Sequence, residues 1–141
     1  MQVDAAIPVN ARNLVDRFYG ELWNQVDLEV ADELLHPDVE FRGSVGQGAV
    51  GVNGVRDYVT MVTTALLGYR CTLIDMIDNG NRAAARVRFS GTHVGSFLGY
   101  PPTGRVVEWM GAAFFTAEGG RLRDIWVLGD LVSLREQLSG G

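Results

Sequence analysis

One carboxyl group in the chain has neighbours that would alter its chemistry. Asp124 lies in the run Arg121-Leu122-Arg123-Asp124-Ile125-Trp126-Val127-Leu128, where residue character alternates. In a strand, residues two apart share a face. Strict alternation groups Leu122, Asp124, Trp126 and Leu128, with Arg121, Arg123, Ile125 and Val127 opposite. Burial beside an indole disfavours the charged form of an acid. A carboxyl tuned toward neutrality suits proton transfer near neutral pH. The competing assignment places Asp124 on an outer face, against an arginine of a neighbouring strand; perturbed acids mark sites only statistically.

Other side chains could join it. Asp130 shares the parity of Asp124, but it also suits the N-cap of a closing helix. His93 shares parity with Val87 and Phe89 unless Gly91 introduces a bulge. It could aim an imidazole at a cavity mouth, or hydrogen-bond a loop backbone. Trp126, Trp109 and Phe89 would form apolar walls. Tyr19, Tyr58 and Met61 lie on helices that would pack over them, although most such aromatics belong to a core. His36, before Pro37, reads as a surface or capping residue. Cys71 is alone, so it forms no internal disulfide and no metal cluster. Its apolar neighbours suggest a buried strand cysteine.

Composition removes several classes of function. The 141 residues carry a net charge of −5 and offer no basic stripe for nucleic acid. The basic residues number 12, and all are Arg. Schiff-base catalysis and lysine phosphate loops are thereby excluded. No apolar run approaches the roughly 20 residues of a membrane span. Met1-Gln2-Val3-Asp4 lacks the basic and apolar regions of a signal peptide, so a cytoplasmic protein is expected. Length and the lack of linkers or repeats predict one domain over residues 1–141.

The elements that would position these residues follow from periodicity. Asn10 is a favourable N-cap for a helix over residues 10–26, with Leu14, Phe18 and Leu22 four apart. A short helix follows Asp27 and ends at His36-Pro37-Asp38, because proline restricts the residue before it. Val39–Arg42 reads as a strand, and residues 43–54, with five glycines, as a loop. Asn53 caps a helix that Gly68 closes. Strands then run over 69–77, 82–93, 105–115 and the Asp124 segment, with Asn79-Gly80 marking a hairpin. Residues 95–104 form a Gly/Pro loop, and Leu131–Leu138 a last helix. Helices followed by a strand meander predict an α+β fold, with N-terminal helices capping a curved antiparallel sheet around one pocket.

Several segments carry a resemblance. Leu22-Trp23-Asn24-Gln25-Val26-Asp27-Leu28, then Leu34-Leu35-His36-Pro37-Asp38-Val39, resemble the opening of SnoaL-like proteins. These belong to the nuclear transport factor 2-like superfamily, with ketosteroid isomerase and scytalone dehydratase. Gly91-Thr92-His93-Val94-Gly95 through Pro101-Pro102-Thr103-Gly104-Arg105, with Val107-Glu108-Trp109, is the most specific match. Asp124-Ile125-Trp126 and Gly129-Asp130-Leu131 also fit. The resemblance covers nearly the whole chain. It implies a cone-shaped fold, homodimerisation through the outer sheet face, and aldol cyclisation of a polycyclic, polyketide-type substrate without metal or cofactor. It places an acidic residue in the cone, at Asp124 or Asp130. Met110-Gly111-Ala112-Ala113 has no histidine, where many relatives carry a polar helper. The Arg-plus-two-Asp pattern of epoxide-hydrolase relatives is also missing. Hydroxylation or epoxide opening, and simple binding of a hydrophobic metabolite, remain the alternatives.

Overall fold

The Asn10 side-chain oxygen accepts the Asn13 N–H at 3.0 Å and opens α1 (Ala11–Arg17). The computed structural model of the chain describes residues 10–140. The Met1–Asp4 stretch and Pro8 lie outside them. α1 continues as a π-helical turn, Phe18–Trp23, whose wider winding lets Phe18, Tyr19, Leu22 and Trp23 all face inward. A 3₁₀ turn (Leu28–Val30), capped by Asp27, leads into the short α2 (Ala31–Leu34). The chain turns extended at Leu35, earlier than expected, and β1 (Leu35–Arg42) runs through Pro37.

β2 (Gly48–Val50) and α3 (Gly51–Ala65) follow. Asn53 is not the cap of α3. Gly51, at φ +81°, turns the chain into the helix two residues earlier, and Asn53 accepts a hydrogen bond from Arg56. Four long strands complete the sheet: β3 (Leu66–Asp78), β4 (Arg82–His93), β5 (Val106–Glu118) and β6 (Arg121–Gly129). α4 (Leu131–Leu138) begins at Asp130, whose Oδ1 accepts the Ser133 N–H at 3.1 Å.

The strand order is β2-β1-β6-β5-β4-β3. The β3–β6 meander is antiparallel as expected, but β1 joins β6 in parallel, so the curved sheet is mixed and open. Side chains satisfy backbone groups beyond the ladders. The Asn24 carboxamide pairs with both main-chain groups of Cys71 on the free edge of β3, donating at 2.9 Å and accepting at 2.8 Å. Arg12 donates to Met76 O of the same strand. Where β6 stops, the Gln137 amide of α4 takes its place beside β5, pairing with Glu108 N–H and C=O at 2.9 and 2.7 Å.

One irregularity decides which residues face inward. Ala117 pairs with Leu122, but Thr116 pairs with Asp124. Arg123 is therefore an extra residue in β6, a bulge that reverses the alternation. Leu122 is buried, and so are Ile125 and Val127, while Asp124, Trp126 and Leu128 lie on the outer face. The expected inward row is corrected accordingly. On the outer face Val106 and Met110 are exposed together with Trp126, Leu128 and Phe114, where strict alternation places Ile125 and Val127.

Candidate functional site

The concave side of the sheet is closed by α1, its π-helical turn and α3. Phe89 and Trp109 are register partners on its inner surface, with ring centroids 5.4 Å apart. Tyr69 stands over both, with centroids at 6.4 and 6.1 Å. From the helices, Tyr19 meets Phe18 and Phe115 edge-on at 5.1 and 6.0 Å. Trp23 lies 5.3 Å from Tyr69, and Tyr58 lies 4.9 Å from Phe41. The rings nearly fill the interior. They leave a cavity of about 10 Å³, lined by Phe18, Tyr19, Trp23, Phe41, Gly43, Ser44, Tyr69, Phe89 and Val127.

Two glycines set this geometry. A Cβ at Gly43 would sit 2.1 Å from the Tyr58 hydroxyl, and one at Gly129 would sit 2.2 Å from Ser44 O. With no side chain at Gly43, Tyr58 reaches Val45, whose N–H donates to its oxygen at 3.2 Å.

The phenols and the thiol of the interior are neutral acids. Burial holds Tyr19 and Tyr69 well above the ordinary phenol range, reinforced by the neighbouring Cys71 and Tyr58 groups. Burial also pushes Tyr58 up to about 12, and raises the Cys71 thiol. All four stay protonated at neutral pH. Tyr19 Oη and Trp109 Nε1 are buried without a hydrogen-bond partner among the described residues. Among the described residues no carboxylate is buried, and no cluster of His, Cys, Asp and Glu could hold a metal ion.

The expected site residues therefore divide. Phe89, Trp109, Tyr19 and Tyr58 face the interior, each no more than 6% exposed. Asp124 is exposed on the opposite face, in register with Glu40 of β1, so it does not stand in the cone. Trp126, 40% exposed, goes with it, covered in part by the Arg42 guanidinium 5.4 Å from its ring. Met61 lies on the solvent side of α3. Asp130 is exposed and serves as the N-cap of α4. His93 is fully buried but does not line the cavity. Its Nδ1 accepts the Thr103 N–H at 3.2 Å and pins the Gly/Pro loop, while Nε2 has no partner. Trp23 lines the cavity from the helix side, and Ser44 and Tyr69 line it without having been singled out for it. Their signal was present for Tyr69, which shares parity with the buried Cys71.

A curved α+β sheet with helices across its concave face defines a small-molecule cone fold. A family profile, SnoaL-like polyketide cyclase, matches residues 13–138. The chain belongs to that family. No match emerges among curated protein sequences. Among solved structures, TsrD from Streptomyces laurentii is 28% identical, with a TM-score of 0.80 over 97% of this chain and 98% of that one. IdmH from Streptomyces antibioticus is 26% identical, with a TM-score of 0.77 over 91% and 97%. A SnoaL-like protein from Jannaschia sp. CCS1, 20% identical, shares the fold with a TM-score of 0.84 over 100% and 99%.

Proposed function

We propose that the concave interior holds a flat, uncharged, hydrophobic substrate of the aromatic polyketide type and cyclises it without a cofactor. The observation that carries this reading is the cluster of aromatic rings from both layers around the cavity, among them Tyr19, whose buried hydroxyl has no partner among the described residues. The walls would hold the reacting carbons in proximity. A 1,3-dicarbonyl segment enolises readily, and neutral donors stabilise charge developing on its oxygen. In ring closure the enol carbon attacks the acceptor carbonyl carbon. The enol O–H proton leaves as that C=O re-forms, and the new alkoxide gains a proton. A tyrosine hydroxyl between the two oxygens passes one proton in as it passes one out. This mechanism replaces acid/base catalysis by Asp124.

The test incubates the protein with an aromatic ester bearing a 1,3-dicarbonyl side chain and follows loss of the enol absorbance. The expected product is an isomer of the substrate, or that isomer less water. No acceleration over the uncatalysed reaction, together with no saturable binding, would sink the reading. Saturable binding without turnover would instead support a second reading, a carrier of hydrophobic metabolites. That reading is favoured by one observation: every titratable group at the cavity is pushed away from neutrality.

The working unit we propose is a homodimer through the outer sheet face. Trp126, Phe114, Ala84 and Ile77 are successive neighbours across β6, β5, β4 and β3. Exposures of 40% for Trp126 and 46% for Phe114 make this a sizeable apolar ladder. Glu40 and Asp124 flank one end, and toward the other lie Arg82 and the Arg86–Asp75 ion pair. Such a charged rim around an apolar centre suits an isologous interface. Sedimentation of a monomer at micromolar concentration would refute it.

A further inference from the structure

The Tyr19 side chain combines two properties that packing alone does not explain. Its ring meets Phe18 and Phe115 edge-on, contacts a phenylalanine would keep. Its hydroxyl is buried with no hydrogen-bond partner among the described residues, and the residue lines the cavity. A buried hydroxyl left unpaired opposes folding. We infer that the Tyr19 hydroxyl anchors the ligand, donating to an uncharged carbonyl oxygen of a planar ring system, so that the interior prefers aromatic ketones over the corresponding hydrocarbons. This inference rests on the reading of the interior as the substrate chamber.

The surroundings define the ligand's chemistry further. Tyr58, Tyr69 and Cys71, the other titratable groups here, are all neutral acids at physiological pH. The guanidinium of Arg42, nearest to Tyr58, is bound to the Val127 carbonyl and stacked on Trp126 outside the cone. A carboxylate ligand would lie against rings with no cation to pair it, which strongly disfavours its burial. A ketone meets a donor and keeps its neutrality.

The cavity as it stands takes a group the size of one oxygen. Room for a ring comes from the segment between β1 and β2. Gly43 and Ser44 of that segment line the cavity, and the segment's internal bonds, Gly43 N–H to Gln47 O and Gly46 N–H to Gly43 O, stay within it. Among the described residues, the tie from this segment to the helices is Val45 N–H to Tyr58 Oη. Tyr19 itself sits on the π-helical turn, outside this segment.

The experiment titrates fluorene, 9-fluorenone and fluorene-9-carboxylate into wild type, Tyr19→Phe and Tyr58→Phe by calorimetry. Wild type is expected to bind fluorenone about tenfold tighter than fluorene, the worth of one net hydrogen bond, and to reject the carboxylate. Tyr19→Phe should bind both neutral probes at the wild-type fluorene level, with a melting temperature no lower than wild type. Tyr58→Phe should keep the ketone preference. A preserved preference in Tyr19→Phe overturns the inference. So does loss of both probes with a lowered melting temperature, or failure of that variant to fold, since each makes the hydroxyl structural. If wild type binds neither neutral probe, the chamber reading itself fails, and the inference with it.

Discussion

Gly43→Ala is the sharpest probe of how the interior is held. Gly43 has no left-handed backbone, so alanine is conformationally allowed and any cost must come from its methyl group. That methyl would lie 2.1 Å from the Tyr58 hydroxyl and 2.2 Å from its Cζ, while ordinary contact begins at 3.4 Å. The ring must therefore retreat by roughly 1.3 Å. Retreat overpacks the interior, at about 1–3 kcal/mol. It also strips the Val45 N–H of its acceptor, and a buried unpaired donor costs about 1–3 kcal/mol. The expected destabilisation is roughly 2–6 kcal/mol. Urea unfolding followed by tryptophan fluorescence measures it, and a double-mutant cycle with Tyr58→Leu assigns the cause. In the leucine background, where no ring opposes the methyl, Gly43→Ala should cost under about 1 kcal/mol. An equal cost in both backgrounds would show that the methyl strikes something else, and the account of Gly43 would be wrong.

Asp124→Asn should leave turnover and melting temperature near wild type, because the carboxyl is exposed and forms no ion pair with the described residues; a large loss of activity would return Asp124 to the mechanism. The buried tyrosines carry raised folded-state pKa values, with Tyr58 at about 12. Their contribution is intact below the unfolded phenol value near ~10 and is lost as pH climbs toward the folded value. Tyrosinate absorbance should therefore appear together with alkaline unfolding, and full ionisation of native protein before unfolding would contradict the burial. Gln137→Ala removes the partners of both Glu108 backbone groups and should cost about 1–3 kcal/mol in urea unfolding; an unchanged midpoint would mean that water replaces the amide without penalty.

Local chemistry was legible in the sequence where a single residue does a local job. Asn10 and Asp130 cap the helices that their types suggested, Asn79-Gly80 lies in the β3–β4 connection, and α4 has the expected bounds. The inward parity of β4 was equally plain, because Ala83, Ala85, Val87 and Phe89 alternate without interruption. The face of Asp124 was not. Leu122 and Ile125 both point inward at a spacing of three, the mark of a bulge at Arg123. Strict alternation reads the same residues with the opposite hand. The parallel pairing of β1 with β6 was hidden for another reason: it joins segments far apart in sequence, and no local pattern records it. Tyr19 was visible as an aromatic on a helix, but its unpaired hydroxyl belongs to three dimensions alone.

Asn24 has a consequence beyond the strand that it decorates. A free sheet edge is a template on which another chain can grow, and that is the first step toward fibrous aggregates. Here the carboxamide occupies both outward backbone groups of Cys71, Arg12 occupies Met76 O a few residues on, and the opposite edge, β2, is only three residues long. Addition of a foreign strand is blocked at the long edge and given little to grip at the short one. An exchange of Asn24 for an apolar residue would leave the enclosed rings untouched, yet bare the Cys71 groups at the margin of a thirteen-residue strand. Its first symptom would be poor solubility, in a protein whose chemistry still worked.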